Sequence, residues 1–509
     1  MGRHSRRSHR GALALGLGAA GTLAAGATLL GTACGADKLP GPGSLTFTFD
    51  ASSTTPGTDG SHPLPKGTPV PFDARTDGCT NLECFQVGCT LGGTTSVSGT
   101  VYDPAKRNPL YNVVVYVPNA PLSPIPTGPS CDTCNSLYSG DPLVAATTAA
   151  DGTFTLKDVP VGLQIPLVVQ VGKWRTQTVI PIVLPCKNTE IADKTLTLPK
   201  SRFEGDIPNI AISTGAADTL ECLLVRVGID PSEYGPGASS PGRVHIFQGA
   251  PTPEAGTVPD TNPSAPTSAS SLWASTSDLS AFDIVLLSCQ GEPTSVTAAD
   301  QDALVAYTGA GGRVFASHYH YAWFDTGPFG ADGLARWTPQ NLAISNYAAA
   351  ELVTTLPNGQ PFPKGLALQK WLGVTGALTG GELDIVAPRF DAVVSATNAP
   401  SQAWLSSDTH SDFPGSTEYF SFNTPVNADG GAAGQCGRVV FSDIHVGAAS
   451  SDYGNPSSNP ASPRTVPTGC ATGELSPQEK ALEFMLFDLS SCVTPDSQPP
   501  PPPPPPPNK

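Results

Sequence analysis

The hydrophobic pattern changes period near residue 200, and that change limits the fold more than any other feature of the chain. From 93 to 200 the apolar residues alternate with polar ones in short runs at 96–102, 112–117, 151–157, 165–171 and 176–182. Runs of this length, punctuated by turn residues such as Asp151-Gly152, are strands. No helical spacing interrupts them, so this stretch predicts a small all-β sandwich. From 206 to 492 the pattern differs. Near-continuous apolar runs at 209–213, 243–247, 283–288, 312–318 and 437–443 alternate with helical patterns at 219–227 and 297–307. Thr297 supplies an N-cap there, and Gly309 and Gly311 a stop. Ser476-Pro477-Gln478-Glu479 opens a last helix to about residue 489. Such alternation predicts an α/β domain with a parallel sheet covered on both faces, and 416–423 reads as an added antiparallel strand.

The flanks are different in kind. Residues 1–34 join a basic start to a long Ala/Gly-rich apolar run, the pattern of an export signal. Leu30-Gly31-Thr32-Ala33-Cys34 resembles a bacterial lipoprotein box, which makes Cys34 the candidate lipid anchor. Residues 35–92 read as a Gly/Pro/Ser/Thr-rich linker with a cysteine cluster, and 493–509 as a disordered tail with nine consecutive prolines. The chain carries twelve cysteines. Export predicts that most of them form disulfides, with Cys79, Cys84, Cys89, Cys131 and Cys134 stapling a loop region. Cys289 reads as a buried thiol or as half of a disulfide, for example with Cys222. A net charge of −16 excludes nucleic acid as a bulk-charge partner. Membrane contact is expected only through the N-terminal anchor or lipid, and the remaining candidate partners are cell-envelope proteins or glycans.

Two stretches carry family resemblances. "SGTVYDP", "YNVVVYVPN" and "ADGTFTLKDVPVG" resemble the carboxypeptidase regulatory-like domain, a transthyretin-like sandwich. That resemblance does not imply peptidase activity, since none of the eight histidines has a glutamate three residues later. "LSAFDIVLLSCQG", "TAADQDALVAYTGAGGRVFASHYH" and "GRVVFSDIHV" resemble the class I glutamine-amidotransferase-like superfamily, with the trehalose-utilisation-protein-like group as its nearest branch. The resemblance implies a flavodoxin-like fold, with insertions near 250–280 and 320–435.

Ligands of an open α/β sheet bind at the carboxyl ends of its strands. That rule selects Ser288-Cys289, Ser317 to His320, and Asp443 to His445. In the superfamily a nucleophilic Cys stands on a sharp strand-to-helix turn. Here that position falls at His318, itself neither Cys nor Ser and without a flanking Gly, which leaves Cys289, His318 and His445 as the candidate catalytic residues. The candidate metal ligands are His318, His320, His445 and Asp443, with His410 and Asp412 as a further short pair, and a divalent metal is the one cofactor these residues suggest. Tyr319, Tyr321 and Trp323 form the candidate binding surface. Without the nucleophile motif, the sequence predicts an exported, non-catalytic interaction module. A metal-dependent hydrolase and a carbohydrate-binding accessory protein are the alternatives.

Overall fold

A computed structural model describes residues 78–90, 92–131, 137–215, 218–249, 267–338, 347–386, 388–408, 414–428, 434–446, 470 and 473–499. The export signal with Cys34, most of the linker, Cys134, the His410 and Asp412 pair and the prolines from 500 onward lie outside these residues.

The first part is β-rich. Strands β1 (Ser96–Tyr102), β2 (Val114–Pro118), β3 (Pro142–Thr147), β4 (Thr153–Lys157), β5 (Gly162–Val171), β6 (Trp174–Val183), β7 (Asn188–Glu190) and β8 (Leu196–Thr197) make two small sheets. One has the order β4-β1-β7 with β8 also on β1, and the other β3-β2-β5-β6. Both sheets send apolar side chains into one core that includes Val97, Val101, Val115, Phe154, Leu167 and Trp174. The Asp151-Gly152 turn needs its glycine. Gly152 has a φ of 73°, and a Cβ there would stand 2.7 Å from Pro109 and 2.8 Å from the Val101 carbonyl oxygen.

The second part is one large mixed sheet with few helices. Its strands are β9 (Ile210–Ser213), β10 (Tyr234–Pro236), β11 (Val244–Phe247), β12 (Ile284–Leu287), β13 (Arg313–Ser317), β15 (Tyr347–Leu352), β16 (Leu378–Thr379), β17 (Glu382–Val386), β19 (Gln402–Ser407), β20 (Ser416–Thr424) and β21 (Gly437–Ser442). Strands β14 (Arg336–Trp337) and β18 (Ala392–Val393) pair separately. The sheet order is β10-β11-β9-β12-β13-β21-β20-β19-β15-β17-β16. It is parallel from β10 to β21 and antiparallel beyond. The expectation of a parallel sheet therefore holds for six strands. Its correction is a second, antiparallel half, built largely from the 320–435 insertion. The chain runs from β9 out to β11 and then crosses back to β12, so the strand order reverses between β9 and β12.

Helices α1 (Leu220–Val227), α2 (Thr276–Leu279), α3 (Ala298–Gly309), α4 (Gly327–Ala331), α5 (Pro363–Val374) and α6 (Pro477–Ser490) complete the chain. Thr297 and Ser476 cap α3 and α6 with reciprocal capping boxes, each worth about 1 kcal/mol. Helix α6 is buried all round. Its apolar residues meet the sandwich through Tyr111 on Phe484 and Trp174 on Phe487. Its acids are paired: Glu479 with Arg226, Glu483 with Asn108, and Asp488 with Lys364 and Arg438. One hydrophobic core thus runs from the sandwich through α6 into the large sheet.

The disulfides reach further than a local staple. Cys79–Cys84 is local, but Cys89–Cys186 spans the sandwich and Cys131–Cys436 ties it to the start of β21. Cys222 pairs with Cys470, and Cys289 stays free, which corrects the Cys222–Cys289 pairing. The start of the expected tail is packed: Thr494 is buried and Asp496 meets Arg438 at 3.1 Å.

Candidate metal centre

The reversal in strand order places four strand ends side by side, and the chemistry-bearing residues sit on three of them. Beyond β12 comes Cys289, beyond β13 His318, and beyond β21 Asp443 and His445. Beyond β9 comes Asp218, which the sequence reading did not select. Cys289, His318 and His445 converge, with one ligand atom from each lying within 4.8 Å of the others, and all three are buried.

His318 occupies the sharp turn after β13 with a φ of 42°, a left-handed conformation that a side chain disfavours. Its Nδ1 lies 3.1 Å from the Cys289 sulfur. On the other side of the ring, Nε2 stands 3.1 Å from Asp391 Oδ2. That second contact is close but bent, short of a hydrogen bond's alignment. Asp391 comes from the inserted region, just before β18, and its backbone N–H donates to Asp443 Oδ2 at 2.8 Å. The His445 ring lies 5.2 Å from that of His318, and its Nε2 has no hydrogen-bond partner among the described residues.

Burial governs the protonation states. It pushes the Cys289 thiol up to about 12, although the backbone N–H groups of Tyr319 and Gly291 pull the other way. It lowers His318, against the pull of Asp391, and it lowers His445 further with help from His318 and Arg389. Both imidazoles are therefore neutral near pH 7 and keep a lone pair. Around them the carboxyls are forced toward the protonated form. Burial raises Glu418 to about 8, and burial with Asp391 and Glu418 nearby raises Asp443 well above its ordinary range. Among the described residues, Glu418 Oε2, Asp443 Oδ1 and Ser288 Oγ are buried without hydrogen-bond partners. Such groups also occur away from the cluster, at Glu221 Oε1 and Oε2 and at Tyr234 OH, so here they show bonding capacity left over beside the three converging residues.

A thiol and two neutral imidazoles form a donor set suited to zinc or another borderline divalent ion, leaving a fourth position open. A metal would displace the thiol proton, so a high thiol pKa does not prevent ligation. Nine of the ten described cysteines are in disulfides and only Cys289 is free.

Two expected site residues fall elsewhere. His320 faces away from the cluster: its Nε2 donates to the Ser288 carbonyl at 2.9 Å, and its Nδ1 accepts from Trp323 Nε1 at 3.0 Å. Burial lowers its pKa to about 4, and a satisfied core histidine describes it best. Trp323 is buried beneath the sheet edge, packed edge-on against Trp273, so it offers no open binding face. Tyr319 lies on the His318 ring at 3.9 Å and 6.4 Å from the ring of Tyr321, and both tyrosines are buried. Asp443 belongs to the carboxyl cluster behind the three ligands. Asp218, Asp391 and Glu418 carried no signal in the sequence: each is a lone acid in an irregular or mixed-pattern stretch.

The chain matches no protein-family model and no curated protein. Among solved structures it is similar to a ThuA-like protein from Bacteroides uniformis ATCC 8492, at 12% identity over 46% of this chain and 80% of that one, with a TM-score of 0.24. A mutant type II cohesin–X-dockerin complex from Acetivibrio cellulolyticus matches at 14% identity over 29% and 78%, with a TM-score of 0.14. The dioxygenase domain of a dioxygenase–carbohydrate-binding fusion from Streptomyces sp. SirexAA-E matches at 24% over 24% and 72%, with a TM-score of 0.11. Likenesses of this size establish neither family nor activity.

Proposed function

We propose that the carboxyl edge of the large sheet is a divalent-metal centre held by Cys289, His318 and His445, and that the chain is a metal-dependent hydrolase. The carrying observation is the convergence of these three residues from three separate strand ends. Two of them are those of the metal-hydrolase alternative, and Cys289 stands where His320 was expected. A metal there would supply Lewis-acid chemistry at its open position. The chain's own residues do the rest. Asp391 orients the His318 ring from its far side. Glu418 and Asp443, kept toward the protonated form chiefly by burial, are the nearby groups that could donate a proton. Export to an oxidising compartment, with lipid attachment at Cys34, belongs to the same proposal, and the disulfides support it. So do the transthyretin-like and amidotransferase-like assignments, which the paired small sheets and the six parallel strands support.

The test is elemental analysis of the full chain from an oxidising host, beside Cys289→Ser and His445→Ala. About one zinc, iron or manganese per chain, lost in both variants, is the expected result. A folded wild type without metal overturns the proposal.

The contacts Cys289–His318 and His318–Asp391 favour one second reading, a thiol nucleophile with its base and orienting acid. It predicts a metal-free protein whose ester hydrolysis stops when Cys289 is alkylated. A metal-free protein indifferent to alkylation would be the interaction module that the sequence suggested.

A further inference from the structure

Asp218 touches the strand ends that carry all three proposed ligands. It is fully buried in the turn between β9 and α1. Its Oδ1 accepts the Val446 N–H at 2.7 Å, one residue beyond His445, and the Thr219 N–H at 3.0 Å. Its Oδ2 accepts the Ser317 hydroxyl at 2.7 Å. Ser317 immediately precedes His318, and its Oγ accepts the Cys289 N–H at 2.9 Å. One carboxylate therefore bonds the β21 end directly, the β13 end directly and the β12 end through a single hydroxyl.

The chemistry of the clamp is specific. Val446 and Ser317 both donate, and they approach different oxygens. Asparagine keeps one acceptor oxygen and turns a second donor toward one of them, and alanine keeps neither bond. An apolar side chain would fill the space without the cost of a buried charge, so this carboxylate is placed for its two acceptors. The clamp also acts where the backbone is least comfortable, because His318 holds its left-handed φ directly after Ser317.

We infer that Asp218 is a positioning residue that holds Cys289, His318 and His445 in ligating register without touching a ligand side chain. The inference rests on the metal reading above. Groups behind metal ligands commonly govern affinity by ten- to a hundredfold.

The test titrates Co2+ into metal-free full-length protein, wild type beside Asp218→Asn, Asp218→Ala and Ser317→Ala. The visible d–d band and the thiolate-to-cobalt charge-transfer band are followed, with far-UV circular dichroism as the check on folding. We expect Asp218→Asn to weaken Co2+ binding by about tenfold or more and to shift the visible band. Ser317→Ala, which cuts only the Cys289 limb, should weaken it less. Wild-type affinity and an unshifted band in Asp218→Asn would overturn the inference, as would a variant altered only in melting temperature. If Asp218→Ala does not fold, the other two variants decide. If the wild type binds no Co2+, the metal reading falls by itself, and Asp218 is judged on the alkylation rate of Cys289. A faster rate in Asp218→Asn would support the positioning role, and an equal rate would end it.

Discussion

The two ends of the same parallel strands are built to opposite rules. At the amino ends the charged groups are paired. Asp283 meets Lys173 at 2.7 Å through one oxygen and accepts the Asn209 N–H at 2.6 Å through the other. Arg313 donates to the Cys436 and Ser491 carbonyls, and Arg243 donates to Asn209 at 2.9 Å. The Cys131–Cys436 bridge pins this end to the sandwich. Gly311, with a φ of 109°, packs so close that a Cβ would lie 2.2 Å from the Ser130 carbonyl oxygen. At the carboxyl ends, His445 Nε2, Asp443 Oδ1, Glu418 Oε2 and Ser288 Oγ are buried without hydrogen-bond partners among the described residues. Near the amino end of β21, Arg438 Nε, Lys364 Nζ and the Asp488 carboxylate also lack aligned hydrogen bonds, but there opposite charges stand within 3.3 Å of one another; the four groups at the carboxyl end have no such ion pair among the described residues. In that sense one end of the sheet is finished and the other is not. A partnerless polar group costs about 1–3 kcal/mol, so stability alone would not select the second arrangement.

The contrast breaks most readily at the finished end. Asp283→Ala leaves Lys173 beside an empty acceptor in a largely buried site, and should cost about 3–5 kcal/mol. Denaturant unfolding measures it, and a loss below about 1 kcal/mol would show the two ends to be alike. Replacing Cys131 and Cys436 together by Ser should cost roughly 2–4 kcal/mol through the freedom returned to the unfolded chain, with metal content unchanged. Loss of metal in that variant would mean that the ends are coupled. At the other end, Glu418→Gln should sharpen the comparison through pH. The folded state holds the Glu418 proton up to about 8, against 4.5 for an ordinary glutamate. The folded state therefore binds more protons between these values, and stability falls as pH rises through the window, by at most about 1.4 kcal/mol per pH unit. In chelator, unfolding of the Gln variant between pH 5 and 8 should lose less stability than wild type. Parallel curves would mean that Glu418 is already ionised.

The sheet was legible where periodicity is strong. The strands at 209–213, 283–288 and 437–443 and the capped helices α3 and α6 follow from apolar runs and local caps, which need no tertiary information. Of the antiparallel half only β20, expected at 416–423, was legible; β15, β17 and β19 mix small and polar residues whose order depends on neighbours far along the chain. The site divides in the same way. The convergence of Cys289, His318 and His445 follows from their places at neighbouring strand ends. His320 was misassigned because two residues in a six-residue 3-10 turn point different ways, and nothing in His-Tyr-His reveals which ring turns inward. Asp391 and Asp218 reach the site through folding of irregular chain, which no spacing encodes.

The smallest expected effect is the most telling. His445→Leu replaces a buried ring whose Nε2 has no partner by an apolar side chain of similar bulk. The backbone bond from Gln478 Nε2 to the His445 carbonyl, at 2.7 Å, is untouched by the change. Exchanging an unpaired polar group for an apolar one of like shape is nearly neutral or stabilising. In metal-free protein the variant should therefore unfold within about 0.5 kcal/mol of wild type or later, by chemical denaturation in the presence of chelator. With metal added, wild type should gain stability in proportion to the ligand it binds, while the variant should not. A histidine that matters only when something is bound marks the unfinished end as a site. A variant that falls by several kcal/mol without metal would instead make His445 part of the core, and the two ends of the sheet would no longer differ in kind.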